Sequence, residues 1–241
     1  GAGYDGQKES GVAIGQNAGN TTQGISAVAI GVAAGYTTQG SSAVAVGELA
    51  GETTQGANAV AVGYFAGNTT QGSSAVAVGY LAGNTTQSAN AVAVGRYAGE
   101  TTQGASAVAI GSAAATTTQG ARAIAVGGAA GQTTQGANAV AVGNAAGKTT
   151  QGVDAVAIGT SAGSDTQSLE SIAIGKNAAA GATARATYVS GGVASTVMVV
   201  DDTTDIVVGM RVTGTGFTFT TLEQQQRVLS VDNATTVTLS A

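Results

Sequence analysis

The sequence predicts an all-β fold: a parallel β-solenoid (β-roll) of about eleven 16-residue coils, followed by a small antiparallel β domain. Three observations carry this prediction. A Thr-Thr-Gln marker recurs every sixteen residues from Thr21 to Thr149, with no insertion or deletion. Each unit contains a β-branched run closed by glycine, as in Ala59-Val60-Ala61-Val62-Gly63. The chain also has 39 glycines and no proline, which suits stacked repeats better than an ordinary globular domain.

Residues 1–4 read as an unstructured or processed end. The repeat domain covers 5–180: a worn copy begins near Asp5, and Asp165-Thr166-Gln167 continues the phase. Glycine at two or three places per unit, each costing about 1 kcal/mol against alanine in a helix, excludes helical coils. "AVAVG" is then one short strand and "TTQG" a second, so a unit runs strand, turn, strand, turn. Parallel strands lie about 4.8 Å apart, which makes the stack a rod of roughly 50 Å. Collagen, the rival for a glycine-rich repeat, needs glycine at every third residue and proline, and has neither here.

Alternation along the strand separates two faces. The Val/Ile set (Val44, Val46, Val60, Val62, Val76, Val78, Ile110, Ile158) is assigned to the coil interior. The opposite face carries only alanine: Ala29, Ala45, Ala61, Ala77, Ala93, Ala109, Ala125, Ala141 and Ala157. Ala50, Ala66, Ala82 and Ala98 form a second methyl-sized position. The alanine face is covered either by the same chain or by a neighbouring chain. Energetics favour the neighbour. Two buried Val or Ile per coil give roughly 1.5–3 kcal/mol each, whereas ordering each of sixteen residues costs on the order of 1–2 kcal/mol. These alanines are therefore taken as an oligomer interface. Stacked glutamines of the second strand are expected to form an amide ladder. A water-ordering threonine array is set aside, because adjacent threonines of a strand point to opposite faces.

Composition narrows the function. Eight basic residues against thirteen acidic ones leave no cationic stripe for nucleic acid. Without histidine or cysteine there is no Cys/His zinc site, cysteine nucleophile or Ser-His-Asp triad. No run reaches the roughly 18 apolar residues of a membrane span, so membrane insertion is not expected. Glu52, Glu100, Asp154 and Glu170 form no acid/base pair and read as solvated surface. The expectation is a non-enzyme that uses no cofactor.

The segments "NAVAVG" (58–63), "SAVAIG" (26–31) and "ESIAIG" (170–175) resemble the strand motif of the β-roll heads of trimeric autotransporter adhesins. The longer phrase "AVAVGxxAGxTTQG" is similar to repeats of phage tail fibres and other viral surface fibres. The resemblance spans about residues 5–180 and implies a homotrimer on a virion or cell surface. It does not extend to a coiled-coil stalk, a membrane anchor or a self-cleaving chaperone domain.

The two residues after each strand glycine vary freely. In the middle coils they are Glu48-Leu49, Tyr64-Phe65, Tyr80-Leu81 and Arg96-Tyr97, a stripe about 15 Å long. Localised exposed aromatics mark binding sites, so Leu49, Tyr64, Phe65, Tyr80, Leu81, Arg96 and Tyr97 are candidate ligand residues for a host-surface glycan or protein receptor. The alternative is that they fill a groove between chains.

Residues 181–241 have strand composition, with turns at Asp201-Asp202 and Asp232-Asn233, and read as a β capping domain. "VVGMRVTGTGF" and "TTVTLS" resemble short β modules of phage structural proteins. Asp201, Asp202 and Asp205 read as a charged turn, with a calcium ion as the alternative. The N-terminal coil has no comparable cap, which leaves upstream sequence or head-to-tail stacking into filaments as expectations. The function expected is a structural fibre or adhesin shaft, with a self-assembling extracellular filament or a carbohydrate-binding module as alternatives.

Overall fold

The computed structural model describes residues 1–3, 6–179, 197–199, 228–233 and 236–239. The chain divides into two units, Gly1–Ala180 and Gly181–Ala241. The first is a parallel β-solenoid of about ten coils. Its Val-Ala-Val segments form an eleven-stranded sheet and its Thr-Gln segments a ten-stranded sheet, each in strict chain order. Register advances by one repeat at every step: Val60 pairs with Val76, and Thr54 with Thr70. Identical residues therefore stack into files that run the length of the rod.

The assignment of inside and outside is the reverse of the sequence expectation. Ala29, Ala45, Ala61, Ala77, Ala93, Ala109, Ala125, Ala141 and Ala157 are fully buried within their own chain, together with Ala50, Ala66, Ala82 and Ala98. The Val/Ile side chains flanking them face outward, half-buried in the middle coils and exposed at Ile110 and Ile158. The alanines are thus core and not an oligomer face. The cause is the thinness of the coil, because only methyl groups and one glutamine fit between the two sheets.

That glutamine braces the core. Gln55 Nε2 donates to the Val44 carbonyl of the facing sheet at 2.8 Å and to Gln71 Oε1 of the next coil at 3.0 Å. The same link is repeated from Gln39 to Gln167, giving the expected amide ladder. Every rung is buried, so each amide depends on these partners in place of water.

Both corners of a coil are built as the same turn. Ala59 N donates to Gly56 O and Ala66 N to Gly63 O, each at 3.3 Å. The third residue of each turn has positive φ: 59° at Asn58 and 52° at Phe65. This is the type II pattern, which favours glycine or asparagine at that place. Gly63 itself has φ 129°, and a Cβ there would lie 2.5 Å from the Gly79 carbonyl oxygen of the next coil.

In the second unit, Val197–Val199, Val228–Asn233 and Thr236–Leu239 pair antiparallel with the last strand in the centre. Asp201, Asp202 and Asp205 lie outside the described residues.

Candidate functional site

With the interior filled by alanine and glutamine, specificity has to reside on the outside of the coil. Three outer surfaces emerge: the Val/Ile face, the threonine face and the corner that follows Gly63.

The corner carries the stripe predicted from sequence. Its first file, Glu48, Tyr64, Tyr80 and Arg96, is exposed. Its second file, Leu49, Phe65, Leu81 and Tyr97, is half-buried. Stacking brings these side chains into contact. The Tyr64 and Tyr80 rings stack 5.4 Å apart with an interplanar angle of 11°. Tyr80 meets Tyr97 edge-on at 5.4 Å, and Phe65 meets Tyr64 edge-on at 4.6 Å. Arg96 closes the stripe, its guanidinium 4.4 Å from the Tyr97 ring centre and donating to the Tyr97 hydroxyl. Loss of surrounding water, followed by the neighbouring Tyr97 hydroxyl, raises the Tyr80 phenol above its ordinary range.

This packing determines what the stripe offers a partner. Tyr64 and Tyr80 cover one face of each other, so the row presents ring edges and hydroxyls outward rather than a run of open faces.

The second file lies in left-handed backbone: Leu49 at φ 59°, Phe65 at 52°, Leu81 at 55° and Tyr97 at 59°. Elsewhere the same position holds Asn17, Ala33, Ala113, Ala129, Ala145, Ser161 or Asn177. Bulky residues are uncommon in this region. Two asparagines missed in the sequence reading support the corner from the next coil. Asn68 Nδ2 donates to the Leu49 carbonyl at 3.0 Å and to Glu52 Oε2 at 2.8 Å. Asn84 Nδ2 donates to the Phe65 carbonyl at 3.1 Å. Their shared place sixteen residues apart was the available signal. Glu100 stands next in that file, and burial raises its carboxyl above the usual carboxylate range.

The threonine face also departs from expectation. Only the second threonine of each marker belongs to the strand, where it alternates with the buried glutamine. The first lies in the preceding bend and is also turned outward, so Thr53 and Thr54 are both exposed. Two parallel threonine files result, where the sequence reading excluded them.

Across the coil from the stripe, Arg122 Nε donates to Asn138 Oδ1 at 2.8 Å, and Asn138 Nδ2 to Asp154 Oδ1 at 2.9 Å. Among the described residues no cluster of three or more acidic, His or Cys side chains is placed to hold a metal ion. Among the same residues no helix is long and apolar enough to cross a membrane. The chain matches no family model, no curated protein and no solved structure.

Proposed function

We propose that the chain is a non-enzymatic structural shaft, a segment of a phage tail fibre or another extracellular appendage of a virion or cell, that spaces or presents a receptor-binding region. In this reading it works as a homotrimer whose chains meet through the Val/Ile face.

The observation that carries the proposal is that outward face. Every strand of the eleven-stranded sheet turns two Val or Ile side chains away from its own core, as Val60 and Val62 do. The face is about 50 Å long and roughly 10 Å wide. At about 500 Å² it stands near the upper end of what a soluble monomer leaves uncovered. Three such faces meeting on one axis remove it from water. A uniform coil with an alanine and glutamine interior also gives length and stiffness.

The test is sedimentation of the parent and of Val78→Lys/Val94→Lys. The parent is expected as a discrete trimer, and the variant as a single folded chain with an unchanged circular dichroism spectrum. A monomeric parent would overturn the trimer. Fibres of indefinite length in negative stain would favour the filament instead.

A second reading is favoured by the paired threonine files. Rigid β-branched side chains, repeated at strand spacing, present an ordered lattice of hydroxyl and methyl groups. Such a surface suits ordered water or ice. Thermal hysteresis that is lost in Thr70→Lys/Thr102→Lys would support this reading, and its absence in the parent would remove it.

A further inference from the structure

The charges of the stripe's exposed file have a symmetry that points to its partner. Glu52 and Glu100, which the same symmetry sets opposite each other, are half-buried, and Glu52 is hydrogen-bonded to Asn68. Along the rod the exposed file reads Glu48, Tyr64, Tyr80, Arg96. Read in the opposite direction it is Arg, Tyr, Tyr, Glu. A second copy laid alongside antiparallel therefore sets Glu48 against the other copy's Arg96, Arg96 against its Glu48, and tyrosine against tyrosine between them. Both ion pairs close at once, because a two-fold axis midway between the Tyr64 and Tyr80 levels preserves the three-coil spacing of about 14 Å. A parallel copy would oppose Glu48 to Glu48 and Arg96 to Arg96.

The second file fits the same operation. Leu49 comes level with Tyr97 and Phe65 with Leu81, so every level pairs one large apolar side chain with another. Within its own file Arg96 stands between Tyr80 and Ser112, with no carboxylate beside it, and the Tyr97 ring holds its guanidinium in place. Tyr64 and Tyr80 remain 42% and 44% exposed. Their outward edges suit edge-to-face contact with a second pair of rings. Retaining Leu49, Phe65, Leu81 and Tyr97 in left-handed backbone works against their local preference, and the four strained positions coincide with the four levels of the patch.

We propose that this stripe is a self-complementary docking site through which a second copy of the rod associates side by side and antiparallel. The patch is small, on the order of 300–400 Å² per copy, well below the roughly 800 Å² of a standard stable interface. The contact is therefore weak and reversible, and it weakens with salt. It does not depend on the trimer: the unit that pairs is whatever the rod's own assembly state is.

The test is sedimentation velocity on the full chain over a concentration series at low and high salt. Dilute protein in high salt gives the basic unit and tests the proposal of the preceding subsection. A reversible association of that unit at high concentration and low salt is expected from this one, a doubling where the unit is a single chain and continued growth where a trimer carries three such stripes. Glu48→Arg and Arg96→Glu should each weaken the association about tenfold or more. The double variant Glu48→Arg/Arg96→Glu should restore it to within about threefold of the parent, since it only exchanges the two signs. Its recovery also shows that the single variants did not fail through misfolding. Orientation is checked with a spin label on Ser112→Cys, unique because the chain has no cysteine. An antiparallel pair separates the two labels by about five coils, roughly 24 Å or more, and a parallel pair brings them side by side. The proposal is overturned by single variants that leave the association intact, by a double variant that does not restore it, or by labels side by side. It is also overturned if Tyr64→Ser/Tyr80→Ser/Tyr97→Ser breaks the basic unit, which would place the stripe inside the rod's own assembly. A parent that shows no such association ends the proposal too, and glycan binding through these tyrosines would then make the stripe a carbohydrate site.

Discussion

The two corners of each coil are the same turn put to opposite uses. At the corner after Gly56 the left-handed position holds Asn58, and in other coils chiefly Ser or Asn, residues that accept this backbone readily. At the corner after Gly63 the equivalent position holds Leu49, Phe65, Leu81 and Tyr97 in four successive coils. One corner is chosen for ease of folding. The other carries side chains that the turn itself does not favour. The difference separates what the solenoid requires from what is placed upon it.

Glycine substitutions should separate the corners most sharply. Gly63→Ala puts a Cβ against the next coil's backbone at a φ of 129°. We expect a loss of about 4 kcal/mol or more, measured by guanidinium unfolding. The first glycine of the other corner is replaceable, since Ser88 and Ser168 already occupy that place. A Cβ at Gly104 also meets the next coil, 2.5 Å from the Ala121 backbone nitrogen, but its backbone is not in the positive-φ region. Gly104→Ser should therefore cost less than Gly63→Ala, about 1–2 kcal/mol by the same measurement.

The next largest effect concerns the brace behind the Asn/Ser corner. Gln87 donates to the carbonyls of Val76 and Ala91 and to Gln103 Oε1. Gln87→Leu leaves these acceptors without their donor, and a loss of about 3 kcal/mol is expected in thermal or chemical unfolding. Smaller shifts of opposite sign should follow from exchanging the corner residues. Leu49→Asn is expected to stabilise by about 0.5–1 kcal/mol, and Asn58→Leu to destabilise by about 1 kcal/mol. Shifts of the same sign at both sites would show that the corners are not equivalent turns.

The smallest effect is one of pH. The folded chain raises the Glu100 carboxyl by burial, so it holds this proton more tightly than the unfolded chain does. Stability gained from this group should therefore increase as pH falls through the carboxylate range, and Glu100→Gln should remove that increment relative to the parent.

Much of the architecture was legible because repetition is written directly in the residues. The unbroken sixteen-residue phase fixes parallel strands in register, and identical side chains at that spacing must stack. The glutamine ladder and the aromatic stripe follow from the same rule. The sense of the coil did not. Val-Ala-Val alternation defines two faces but not which one is enclosed, and the usual preference for burying Val over Ala gave the wrong answer. The deciding quantity is the separation of the sheets, set by Gln55 reaching from one strand to the Val44 carbonyl of the other. Thr53 was misplaced for a related reason: a bend, invisible to alternation, precedes the strand at Thr54.

The glutamine ladder gives the rod a direction. Backbone bonds between coils run both ways, Val60 N to Ala75 O and Gly63 N to Val46 O, so their dipoles largely oppose one another. The side-chain amides do not alternate: from Gln39 onward each donates to the glutamine of the following coil. The row leaves the Gln39 and Gln23 oxygens unpartnered at its start. A column of aligned amides has an acceptor pole and a donor pole, and a coil added at one pole meets different chemistry from a coil added at the other. Any axial growth on this ladder would therefore be polar, whereas the side-by-side pairing proposed for the stripe would set two such columns head to tail and cancel their moments.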